Sequence, residues 1–130
     1  MECMFKQVEN VMIEFKDQQN VLHVVCEGEL TRNNHEKYAR LIGEKLVDFD
    51  GCVIDLKDVS YMDTSGLGIL VSSMRECRKQ EKWFGVRCDS KELMRLIQIT
   101  KLDLLFPVAG TLDEIRNAWS SGACQMQGIG

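Results

Sequence analysis

Asp63, Thr64, Ser65, Gly66 and Gly68 stand together in the stretch DTSGLG, between a strand-like run and a helix-like run. An acid, two hydroxyls and two glycines in that order could do four things: cap a helix, hold a nucleophile, cradle a phosphate or receive one. Capping is the commonest use, because Asp, Thr and Ser oxygens accept from the unpaired N–H groups of a first helical turn. Two glycines in that turn would cost about 1 kcal/mol each against alanine, which asks for a close approach or a partner. Phosphate cradling lacks both nucleotide-loop patterns, GxxxxGK(S/T) and GxGxxG. Catalysis by Ser65 lacks the GxSxG elbow, and the only histidines are His23 and His35. His23 lies inside an apolar run, where packing is its ordinary use; His35 opens a helical pattern, where a solvated position is expected. Receiving a phosphate is physically sound. A helix N-terminus tolerates an anion, and a phosphoryl group adds about −1.5 to −2 charge beside Asp63. That charge would spare the fold and repel a partner docked on the helix.

The elements that must position this junction are legible as periodicities. VMIEF (11–15) and NVLHVVCEG (20–28) read as strands joined by a polar KDQQ turn. Tyr38, Leu41, Ile42 and Leu46 fall at helical spacing, with Thr31 or Asn33 as N-cap. GCVIDL (51–56) is short and almost wholly apolar, as in a strand covered on both faces. Leu67, Leu70, Val71 and Met74 mark an amphipathic helix beginning near Ser65 and ending in RECRKQEK, whose charges suit a solvated C-terminus. KWFGVRC (82–88) reads as a strand. Asp89 or Ser90 then caps a helix carrying Leu93, Leu96 and Ile97. LLFPV (104–108) reads as a late strand, and Thr111 opens a last helix with Leu112, Ile115 and Trp119 inward. Trp83 and Trp119 read as core. The order β-β-α-β-α-β-α-β-α implies an α/β fold: a mostly parallel sheet with an N-terminal hairpin and about four α-helices.

Composition narrows the function. The 130 residues predict one domain over 1–130, with its core at about 10–119 and a fraying tail at 120–130. A net charge of −4 argues against a nucleic-acid binder. No apolar run approaches a membrane span, and the start is no secretory signal, so a cytoplasmic protein is expected. The six cysteines are scattered, without a CxxC pair or a Cys/His cluster at metal spacing, and read as free thiols; no metal and no cofactor are expected.

The stretch DLKDVSYMDTSGLGIL closely resembles the phosphorylation-site segment of the anti-sigma factor antagonist family, the STAS domain. CEGEL (26–30) matches its strand ending in Gly-Glu-Leu, and LMRLIQITKLDLLFPV (93–108) resembles its third-helix and last-strand segment. The resemblance covers residues 10 to 119. It implies partner switching without catalysis: the antagonist binds an anti-sigma factor serine/threonine kinase, is released on phosphorylation, and is restored by a metal-dependent serine/threonine phosphatase. The acceptor position falls on Thr64, with Ser65 beside it. Asp63, Gly66, Leu67 and Gly68 match the partner-binding helix start, and Gly28, Glu29 and Thr31 a neighbouring loop. Thr64 stands where Ser is usual, Thr31 where an acid commonly follows, Gln98 in place of an acid and Lys101 in place of a glycine. If a left-handed residue is kept there, Lys101 carries strain of order 1 kcal/mol. Two other readings compete: an unphosphorylated STAS scaffold or ligand-binding adaptor, motivated by Thr31, and a small hydrolase using Ser65.

Overall fold

Six strands form one sheet in chain order, β1 (Met4–Val8), β2 (Val11–Gln18), β3 (Val21–Leu30), β4 (Gly51–Met62), β5 (Trp83–Arg87) and β6 (Val108–Ala109). The computed structural model describes residues 4–8, 11–30 and 35–120. Strands β1 to β3 pair antiparallel, while β3 to β6 pair parallel. Each parallel connection carries a helix: α1 (His35–Leu46), α2 (Gly68–Lys79) and α3 (Lys91–Ile99), with α4 (Leu112–Ser120) following β6. The α/β reading, the hairpin and the four helices therefore hold.

Alternation along the strands makes two unequal cores. Leu22, Val24 and Cys26 on β3, with Cys52, Ile54 and Leu56 on β4, face one way and meet Ile42, Leu70, Met74 and Ile97 of α1 to α3. The intervening residues Val21 and Val53 face the other way and meet Ile115 of α4. Both faces of the sheet are used, but only one is covered by three helices. Trp83 and Trp119 pack against each other beside the smaller core, their ring centroids 6.4 Å apart.

One strand has no counterpart in the sequence reading, and three readings need correction. Strand β1 had no reading at all, because five residues carry too little periodicity, so the antiparallel part has three strands. The hairpin turn is the pair Gln19–Asn20, with φ of 56° and 68°, not the whole KDQQ run. This two-residue turn lets β2 run on to Gln18, and the Asn20 N–H donates to Asp17 Oδ1 (3.1 Å). LLFPV is not a strand: Leu102–Leu104 is a 3₁₀ turn, Phe106 fills the core, and only Val108–Ala109 pairs with β5. Lys82, read as part of a solvated basic end, instead donates from Nζ to the Leu46, Val47 and Phe49 carbonyls just past α1. Thr31, Asn33 and the tail after Ser120 lie outside the described residues.

Ser90 caps α3 as expected, its hydroxyl oxygen accepting from Leu93 N–H at 3.4 Å. At the other end of α3, Lys101 is left-handed, with φ 63° and ψ 22°. A Cβ is strained there by roughly 1–2 kcal/mol. Glycine relieves that strain but enlarges the unfolded ensemble, so Lys101→Gly is expected to stabilise by roughly 0.5–1 kcal/mol. A higher urea midpoint at unchanged slope checks this; a lower midpoint would mean that the Lys101 side chain does more than tolerate its conformation.

Candidate functional site

The DTSGLG stretch emerges where β3 and β4 end together. Leu30 pairs with Met62, the Asp63 N–H donates to the Leu30 carbonyl (3.4 Å), and the chain then turns toward α2. The α-helix begins at Gly68, three residues later than the spacing suggested. Between them run tight turns, with Gly66 N–H donating to the Asp63 carbonyl (3.0 Å) and Gly68 N–H to the Ser65 carbonyl (3.1 Å). Asp63 Oδ1 also accepts from Gly66 N–H (3.1 Å), so the acid does cap, but it caps a turn rather than the helix proper.

Gly66 explains its own glycine. A Cβ there would stand 2.6 Å from the Leu30 carbonyl carbon and collide with its oxygen, so the loop is seated directly on the end of β3. Leu67 is turned into the core, only 5% exposed, and holds the loop from beneath. Thr64 and Ser65 are exposed. Among the described residues, neither hydroxyl has a protein hydrogen-bond partner. Glu29 and Asp58 are exposed, and Gly28, Asp63 and Gly68 are half-buried. The structure thus gathers all the expected positions that it describes around the end of one strand pair.

A groove of about 330 Å³ adjoins the loop between the end of β4 and α3, lined by Tyr61, Met62, Leu93, Leu96, Ile99 and Arg95 among others. Tyr61 and Ile99 are 53% and 69% exposed.

One polar cluster escaped the sequence reading. Asp55, in the apolar run of β4, is 1% exposed on the sheet face that α4 only partly covers. His23 Nε2–H donates to its Oδ2 (2.8 Å), Arg87 Nη1–H to its Oδ1 (3.1 Å) and Lys57 N–H to the same Oδ1 (2.9 Å). Arg87 also reaches Asp89, at 3.5 Å. A lone acid inside GCVIDL was the available signal, since a fully covered strand cannot hold one unpaired. His23 is therefore not a packing residue but a polar partner of Asp55. Burial alone would push the Asp55 carboxyl up; the His23 hydrogen bond, the Lys57 N–H and the Arg87 guanidinium outweigh it and hold it below the ordinary carboxylate range.

A lowered folded-state value fixes the sign of the pH dependence. The contribution of ionised Asp55 is complete above the unfolded carboxylate range, and is lost as pH falls below about 5 toward the depressed folded value. Urea unfolding across that range should show an acid limb that Asp55→Asn flattens. An unaltered acid limb in that variant would place the titration elsewhere.

Among the described residues no group of three or more His, Cys, Asp or Glu could hold a metal ion, and no helix is long and apolar enough to cross a membrane. The STAS domain family model matches residues 12–115. The chain belongs to the STAS domain family. It is 34% identical over 97 residues to the anti-sigma-B factor antagonist of Bacillus subtilis, covering 72% of this chain and 85% of that relative. It is 28% identical over 109 residues to the anti-sigma-B factor antagonist of Listeria monocytogenes, covering 82% and 95%. Among solved structures, an anti-sigma factor antagonist from Mycobacterium paratuberculosis superposes with a TM-score of 0.70 at 29% identity, over 83% of this chain and 92% of that one. This STAS domain therefore shares both sequence and architecture with anti-sigma factor antagonists.

Proposed function

We propose that this protein is an anti-sigma factor antagonist that works by partner switching. It binds an anti-sigma factor serine/threonine kinase while Thr64 and Ser65 are unmodified, and phosphorylation of Thr64, or of Ser65, releases it. A metal-dependent serine/threonine phosphatase restores the binding form, in the cytoplasm, and the chain itself catalyses nothing. The observation that carries this reading is the pair of exposed, unpartnered hydroxyls beside Asp63, just before the N-terminus of α2. A phosphate there meets the positive end of the helix, so the fold tolerates it. The neighbouring surface is already acidic, with Glu27, Glu29 and Asp58 exposed. A further −1.5 or so of charge turns a docking face into a repulsive one. The relatives named anti-sigma factor antagonists support the same reading.

Thr64→Asp is expected to weaken kinase binding about 100-fold or more, because a like-charge contact in an interface costs several kcal/mol. Thr64→Ala should bind as the unmodified protein does and never let go. Wild-type affinity in the Asp variant would sink the switch. The groove beside Tyr61 and Ile99 favours the second reading, an unphosphorylated STAS scaffold or ligand-binding adaptor. Mapping phosphate on the tryptic peptide from Asp58 to Arg75, from cells under several growth and stress conditions, separates the two. A peptide always unmodified would favour the adaptor.

A further inference from the structure

The end of β4 does not keep the register in which the strand starts. From Val21↔Gly51 to Val25↔Asp55, partners in β3 and β4 differ by 30 residues. Beyond the first shift they pair as Glu27↔Asp58 and Gly28↔Val59, and beyond the second as Glu29↔Tyr61 and Leu30↔Met62. Strand β4 therefore carries two extra residues relative to β3. At roughly 3.3 Å per residue this moves its tip by about 7 Å along the neighbouring strand. In the starting register Leu30 would face Ser60, and the loop would overshoot the carbonyl on which Gly66 sits.

Each shift has a side-chain device beside it. An extra residue leaves backbone groups locally unpaired in the ladder. At the first shift the Lys57 N–H donates to Asp55 Oδ1, the carboxylate fixed by His23 and Arg87. At the second, the Ser60 hydroxyl donates to the Gly28 carbonyl (3.3 Å), and Gly28 takes a φ of 108°. The second device is exposed and neutral. The first is buried, charged and held from both neighbouring strands, so it is the one that dictates geometry.

We propose that Asp55, clamped by His23 and Arg87, is a positioning residue for the Thr64–Ser65 loop, acting through the β4 bulge at Lys57. The consequence for partner docking rests on the switch reading above; the structural effect on the loop does not. Losing Asp55 frees the bulge, lets residues 57–62 slip relative to β3, and unseats Gly66 from Leu30.

The test is amide hydrogen exchange on the full chain, read by NMR with no partner present, so its outcome is independent of the kinase. In Asp55→Ala, exchange at Gly66, Gly68 and Ile69 should rise about tenfold, the effect of losing one hydrogen bond that anchors a local opening unit. Ile97 in α3 and Ile115 in α4 should rise by no more than the global loss of stability that urea unfolding of the same variant gives. Asp55→Asn, which keeps an acceptor for Lys57 N–H, should restore most of the loop protection. Lys57→Pro deletes the N–H donor, along with the exposed lysine side chain and the freedom of φ, at a bulge position where proline is tolerated, and should reproduce the loop effect while His23 and Arg87 still hold Asp55. It also serves if Asp55→Ala fails to fold. A loop rise that the global loss of stability alone accounts for, no loop effect in Lys57→Pro, or an Asn variant as open as the Ala variant would each overturn the proposal. If the loop opens in these variants but kinase affinity is unchanged, the positioning stands and the switch reading falls.

Discussion

Gly66→Ala is expected to abolish partner docking and to destabilise the chain by about 3 kcal/mol, the upper part of the range for forced overpacking. The reason is spatial, because Gly66 is not among the positive-φ residues. An added methyl meets the Leu30 carbonyl, a backbone group in a paired strand that cannot swing aside as a side-chain tip would. The loop must lift, and Asp63, Thr64 and Ser65 lift with it. A melting temperature about 10 °C lower is the thermal equivalent for a domain of this size. Gly110→Ala is the matched control: its nearest neighbour would be Glu114 Oε1 at 3.9 Å, an ordinary contact. That substitution should be neutral or stabilise by about 0.5 kcal/mol through the unfolded chain. If Gly66→Ala melts like the wild type, the loop is not seated on β3.

Phe84→Ala should cost about 4 kcal/mol, the largest effect expected of a single core truncation here. Phe84 is fully buried on β5 and meets Phe106 edge-to-face, with ring centroids 5.1 Å apart. Truncation removes the ring and also strips Phe106 of its aromatic partner, worth about 0.5–1.5 kcal/mol beyond burial. Marginal domains have about 5–15 kcal/mol in total, so the variant should unfold at much lower urea with an unchanged slope. A loss below about 1 kcal/mol would mean that the neighbouring side chains close the cavity completely. The Phe84→Ala, Phe106→Leu double cycle would isolate the pair.

The parts of this fold that were legible in the sequence are those where one local rule decides. Leu67, Leu70, Val71 and Met74 repeat at helical spacing, and Ser90 is a cap by its own chemistry; both appear in the structure. The DTSGLG loop drew notice because two glycines in a first helical turn are costly. On residue types alone a cap was the commoner use, and the loop's functional reading came from the resemblance to the STAS segment. What escaped depends on neighbours far along the chain. Asp55 is polar within an apolar strand, and nothing local tells that His23, 32 residues earlier, and Arg87, 32 residues later, will meet it. The late start of α2 escaped likewise, because the Leu30 carbonyl that fixes Gly66 belongs to another strand. Strand β1 pairs with β2 but is too short to show a period of its own, and LLFPV has strand composition but follows a left-handed Lys101 that sends it into a 3₁₀ turn.

The free thiols have a use that does not depend on what the protein binds. Cys26, Cys52, Cys77 and Cys88 are all buried and unpaired, spread over β3, β4, α2 and the end of β5. Burial, and then the nearby Asp55 carboxylate, push the Cys26 thiol up to about 12, and burial also raises Cys88. Thiolate is the species that alkylating reagents attack, so these sulfurs are silent until the chain around them opens. The molecule thus carries an internal gauge of its own breathing. Counting labels by mass against time would show whether α2 parts from the sheet alone or only with everything else.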